Sequence, residues 1–110
     1  MKMEILYFDG CPTYLAAEKT LREVLEERGI AAEVELVAVN TDGEARELRF
    51  AGSPTITVDR EDLFPLPERA EYALGCRMYA TSEGLRGSPT SAMLSEALAK
   101  KQGGSVDGSS

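Results

Sequence analysis

The strongest constraint on the fold is a strand–helix–strand pattern over residues 2–39 in which each boundary is punctuated. Residues 2–8 form a short apolar run ended by Asp9-Gly10, the length and turn pair of a buried strand. Cys11-Pro12 follows, and proline suits the first position of a helix because its missing N–H would have had no partner there. From there to Arg28 the residues are strong helix formers. Tyr14, Ala17, Leu21, Val24 and Leu25 recur at helical spacing as one apolar stripe. Gly29 stands where a helix C-cap belongs. Residues 32–39 alternate and then turn wholly apolar, which predicts a second buried strand. A strand, a crossover helix and a strand imply a parallel pair of right-handed connection.

The remainder extends this pattern. Thr41 or Asp42 can cap a short second helix through Phe50, with Ala45, Leu48 and Phe50 facing inward. Gly52-Ser53-Pro54 breaks it, and residues 55–59 are a β-branched run that predicts a third strand. Residues 59–75 read as a long irregular connection. Residues 77–81 predict a fourth strand, joined to the third as an antiparallel hairpin on the sheet. Ser88 as N-cap and Pro89 at the first position then start a last helix, with Met93, Leu94, Ala97 and Leu98 as its stripe. Residues 1–102 are thus expected to form one domain, and the Gly/Ser-rich stretch 103–110 a disordered tail. The tetrapeptide Gly-Ser-Pro-Thr occurs twice, at 52–55 before a strand and at 87–90 before a helix. The order βαβαββα predicts an α/β fold with a four-stranded mixed sheet flanked by three helices, a size suited to the 110 residues.

Composition excludes several function classes. The formal charge of -7 and the absence of a basic stripe argue against nucleic acid, whose phosphates require clustered Lys and Arg. No apolar run approaches the roughly 18 residues of a membrane span, and residues 1–8 lack the marks of a signal peptide. A cytoplasmic protein without a membrane partner is therefore expected. There is no histidine, which removes His-dependent triads, His general bases and most zinc sites. The two cysteines, Cys11 and Cys76, cannot build a Cys-rich metal site within one chain, so neither a metal nor a bound cofactor is expected.

Cys11 is the candidate reactive group. At a helix N-terminus the unpaired N–H groups and the positive end of the dipole favour an anion, so a thiolate there is stabilised. Asp9, two residues earlier, and the overall acidity oppose this effect. The alternative is an inert cysteine buried behind the strand.

A strand ending in Phe8-Asp9-Gly10-Cys11-Pro12-Thr13-Tyr14, followed by a helix and later by Gly52-Ser53-Pro54-Thr55 opening a strand, resembles the thioredoxin and glutaredoxin-like proteins over residues 2 to about 100. The resemblance implies a thioredoxin-like fold and thiol–disulfide exchange through Cys11. It also implies a cis Pro54, which sets the backbone of Ser53 beside the cysteine, where an extended substrate can pair. Pro12, Tyr14, Ser53, Pro54 and Thr55 are then the candidate substrate-binding residues. Tyr14 stands where dithiol members carry their resolving cysteine, so a disulfide within one helical turn cannot form. This points to a monothiol protein, with glutathione as a candidate co-substrate that resolves mixed disulfides. Residues 8–10 lack the lysine typical before a glutaredoxin cysteine, and residues 84–87 only loosely resemble that family's Gly-rich turn. The competing reading is a non-catalytic module that binds a protein or peptide across Ser53-Pro54.

Tyr14 can shield the sulfur or hydrogen-bond a ligand, or it can simply pack the first helix. Cys76 is a candidate resolving thiol, but a fourth strand over 77–81 would start it at the far end of the sheet. At about 3.3 Å per residue that exceeds the roughly 7 Å between Cα atoms that a disulfide tolerates. Cys76 is therefore expected in the core or at a strand edge.

Overall fold

The computed structural model describes residues 2–10, 12–65, 75 and 77–107, the last six as backbone. Among these residues nine elements follow in the order β1 (Lys2–Tyr7), α1 (Tyr14–Glu27), β2 (Glu33–Ala38), α2 (Asp42–Leu48), β3 (Thr55–Val58), β4 (Glu61–Asp62), β5 (Tyr79–Thr81), β6 (Gly84–Arg86) and α3 (Ser91–Asp107). The main sheet has four strands in the order β2-β1-β3-β4, with β5 and β6 as a separate two-stranded ribbon. β1 is parallel to β2 and antiparallel to β3, and β4 is antiparallel to β3. The α/β class, the mixed four-stranded sheet and the three helices agree with expectation.

Side-chain alternation along β1 and β3 places helices on both faces of the sheet. Met3, Ile5, Ile56 and Val58 point to one face and meet Ala17, Leu21 and Val24 of α1 and Leu94 and Leu98 of α3. Leu6 points to the other face and joins Val39, Ala45 and Phe50 in a smaller cluster around α2. Strand β3 is buried along its whole length, as a central strand covered on both faces must be.

Several boundaries differ from expectation for local reasons. α1 begins at Tyr14 rather than Pro12, because Thr13 occupies the cap position and Pro12 lies in the preceding turn, its carbonyl accepting from Leu15 N–H at 3.1 Å. Its C-terminus is a Schellman arrangement: Gly29 takes φ +64, and Ile30 N–H donates back to Leu25 O at 2.9 Å. β2 is mostly exposed rather than buried, since it forms the sheet edge. α2 is capped by Thr41, whose hydroxyl accepts from Glu44 N–H, and it stops at Leu48, where Arg49 turns left-handed and drops Phe50 into the core.

The segment expected to be wholly irregular from 59 instead begins with a tight hairpin. Asp59 and Arg60 both have positive φ, at 50° and 72°, as a two-residue turn of the primed type requires. That turn brings in β4, which takes the place on the main sheet that residues 77–81 were expected to fill. Tyr79–Thr81 pair with Gly84–Arg86 instead. α3 starts at Ser91, two residues beyond Pro89, because the Thr90 hydroxyl accepts from Met93 N–H and serves as the cap. The helix runs on through Asp107, into the stretch assigned to a tail; residues 108–110 lie outside the described residues. No helix among the described residues is long and apolar enough to cross a membrane.

Candidate functional site

At one pole of the sheet β1 ends and β3 begins: Leu6 pairs with Thr55, so Tyr7 and Pro54 are the next residues outward on adjacent strands. The chain leaving β1 turns through Pro12 and Thr13 into α1. Tyr7 and Tyr14 stack there, with ring centroids 4.1 Å apart and planes 20° from parallel. Tyr14 also packs against the main core, which favours its packing role. The Ser53-Pro54 peptide is cis, as the resemblance implies, and both residues are buried. Thr55 is buried beside them and donates its hydroxyl to Gly52 O at 2.6 Å.

One expectation for this loop is overturned. Ser53 was to offer its backbone to an extended substrate, yet both of its main-chain groups are taken within the chain. Ser53 N–H donates to Gly75 O at 2.7 Å, and Arg77 N–H donates to Ser53 O at 2.9 Å. The strand that would have paired across the sheet crosses the cis-proline loop instead. Gly52 makes this close approach feasible: at φ +114 it faces the Arg77 backbone, where a Cβ would come within 2.8 Å of Arg77 Cβ and 3.0 Å of its Cα.

Sequence reasoning missed Arg77 and Tyr79 as site-building residues. The Arg77 side chain is almost fully buried and forms an ion pair with Asp62 at 2.8 Å. It also donates to Phe64 O and lies 4.8 Å from the centroid of the Tyr79 ring. The guanidinium thereby ties β4 and the residues after it to the segment over the cis-proline. The Tyr79 hydroxyl donates to Pro54 O. Burial raises the Tyr79 phenol well above the ordinary tyrosine value of 10.0; Arg77 opposes this and Asp62 adds to it. Tyr79 therefore remains a neutral donor. The alternation Arg77-Met78-Tyr79 was visible as a strand signal, but a buried arginine has no mark in sequence.

The ribbon closes the ring. Arg86 pairs with Tyr79, and Gly87, the next residue, lies against Thr13: a Cβ there would stand 2.8 Å from the Thr13 methyl. Residues 12–14, 52–55, 75, 77–79 and 86–87 thus converge at one pole. Cys11 and Cys76 lie outside the described residues. Beside this pole, a groove of about 760 Å³ runs between Phe64, Tyr79, Met78 and the Met93 side of α3. Among the described residues no cluster of acidic side chains could hold a metal ion.

Compared with known proteins, the chain matches no family model, no curated protein and no solved structure.

Proposed function

We propose that this is a thioredoxin-like protein that carries out thiol–disulfide exchange or thiol transfer through Cys11. The observation that supports this reading is the meeting of two turns at one pole. The turn of residues 12–14 that starts α1 flanks Cys11 in sequence, and it stands at the same end of the sheet as the buried cis Ser53-Pro54 loop. A thiolate at the start of a helix gains from the unpaired N–H groups of the first turn. The reaction requires little more of the protein: a thiolate, access for a disulfide, and a leaving thiol. Glutathione is a candidate co-substrate, and the compartment proposed is the cytoplasm.

The competing reading, a module that pairs an extended peptide with Ser53, loses its docking groups because Ser53 N–H and C=O are engaged by Gly75 and Arg77. The decisive measurement is the rate of alkylation at each cysteine as a function of pH, followed by reduction of a small mixed disulfide by glutathione with wild type and Cys11→Ser. Cys11 should alkylate faster than Cys76 at neutral pH, and Cys11→Ser should abolish turnover. Equal, slow alkylation at both positions with turnover unchanged in Cys11→Ser would end the proposal.

A further inference from the structure

We propose that the free edge of β2 docks an extended segment of a partner protein in which basic and apolar residues alternate, bound as an added antiparallel strand. This inference stands apart from the reading of Cys11. The two edges of the main sheet differ. β4 is two residues long, and Arg77 braces it by bonding to Asp62 and to Phe64 O. β2 is six residues long and mostly exposed, in unbroken register with β1 and without a proline. Length and an open ladder are what strand addition requires.

One bond fixes which main-chain groups are free. Val39 N–H donates to Tyr7 O at 2.7 Å, toward β1. Main-chain groups alternate in direction along a strand, so residues 33, 35 and 37 also face β1. Val34, Leu36 and Ala38 therefore turn their N–H and C=O groups outward. The Arg22 guanidinium agrees with this, reaching Val34 O at 3.4 Å from α1. Among the described residues it is the only side chain that meets the outward row.

The side chains specify the occupant. Val34 and Leu36 pair with Met3 and Ile5, so they share the face of α1 and α3; Val34 packs on that core, while Leu36 stays 37% exposed. Glu33, Glu35 and Val37 take the opposite face, beside Lys2, Glu4 and Leu6. The cluster around α2 covers that face only at its Leu6 and Val37 end. The uncovered part next to the edge carries the carboxylates of Glu4, Glu33 and Glu35 against one ammonium, Lys2, 3.7 Å from Glu35. On an added antiparallel strand, the residues opposite 33 and 35 sit at the positions without mutual hydrogen bonds, where facing side chains come closest. Lysine or arginine there meets the glutamates, and the apolar residue between them lies over Leu36. A second copy of β2 fits poorly, because it brings its own glutamates to that face between chains of net charge -7. The charge that bars self-pairing selects a cationic strand.

The test titrates the full-length protein with short labelled peptides by fluorescence anisotropy, and locates the contact by amide NMR shifts and hydrogen exchange. The probe alternates lysine and valine. One control alternates glutamate and valine, and another holds the same lysines and valines in two separate blocks. The probe should bind, shifting and protecting the amides of Val34, Leu36 and Ala38, and both controls should bind at least about tenfold more weakly. Glu33→Lys combined with Glu35→Lys, at two exposed positions, should reverse the preference toward the glutamate peptide. Leu36→Pro removes an N–H that the sheet does not use, so the fold should persist while binding is lost. No binding at millimolar probe, equal binding of the block peptide, shifts confined to another face, or a preference unchanged by charge reversal would overturn the inference. So would a wild-type dimer joined through β2. The wild-type titrations are independent of whether a variant folds.

Discussion

The same four residues, Gly-Ser-Pro-Thr, adopt two unrelated structures in this chain. At 52–55 the Ser-Pro peptide is cis, the serine is bonded through both main-chain groups to a distant segment, and the threonine opens the central strand. At 87–90 the Ser-Pro peptide is not cis, and the threonine caps a helix through its hydroxyl. The second copy is governed by local chemistry, a cap followed by helix formers. The first is governed by what packs on it: Arg77 against Gly52, Tyr79 on Pro54, and β1 beside Thr55. Local sequence therefore decides a turn only where no tertiary partner competes.

This contrast can be broken experimentally, most severely at Arg77. Arg77→Met removes the ion-pair partner of partly buried Asp62 and leaves its carboxylate with only the Phe64 N–H, so unfolding free energy in urea should fall by about 3 kcal/mol. A double variant adding Asp62→Leu should recover part of that loss; no recovery would place the cost in lost packing rather than in the orphaned charge.

Alanine at the two glycines compares the copies directly. Gly52→Ala meets both a left-handed φ and the Arg77 backbone, and should cost about 2–4 kcal/mol by denaturant titration. Gly87→Ala meets only the side chain of Thr13 with no left-handed φ, and should cost about 1 kcal/mol. Equal costs would mean the first copy is no more constrained than the second.

At the threonines, Thr55→Val removes a buried hydroxyl bond and should cost about 1–2 kcal/mol. Thr90→Val removes a helix cap, for about 1 kcal/mol in thermal unfolding. Circular dichroism should separate them: only Thr90→Val should fray α3.

Tyr79→Phe should change least at neutral pH, about 1 kcal/mol from the lost bond to Pro54 O. Its signature is in alkali. The unfolded phenol ionises near 10.0, whereas the folded one resists ionisation to higher pH, so this contribution is intact below 10.0 and falls as pH rises above it. Stability of wild type should therefore decline above 10.0 more steeply than that of Tyr79→Phe.

Much of the framework was legible because it follows from period and punctuation. The stripe Ala17, Leu21, Val24, Leu25 marks α1, Gly29 marks its end, and the β-branched run 55–58 marks the central strand. The start of α1 was misread by two residues because proline at a first helical position and proline in the turn before it look alike. The edge position of β2 was not legible, since an apolar run carries no record of how many neighbours it will have. The replacement of 77–81 by 61–62 in the sheet turns on Asp59-Arg60 adopting positive φ, which neither residue announces.

The sequence by itself determined the α/β order, the helix faces, the absence of histidine chemistry, and the nomination of Cys11 and Pro54. Those properties depend on residue type and short-range spacing. The tertiary structure alone decided that Ser53 is bonded to residues 75 and 77, that Arg77 is buried against Asp62, and that Tyr79 reaches Pro54. These are pairings between residues far apart in sequence, chosen when the folded core leaves each buried donor and charge only one place to find its partner.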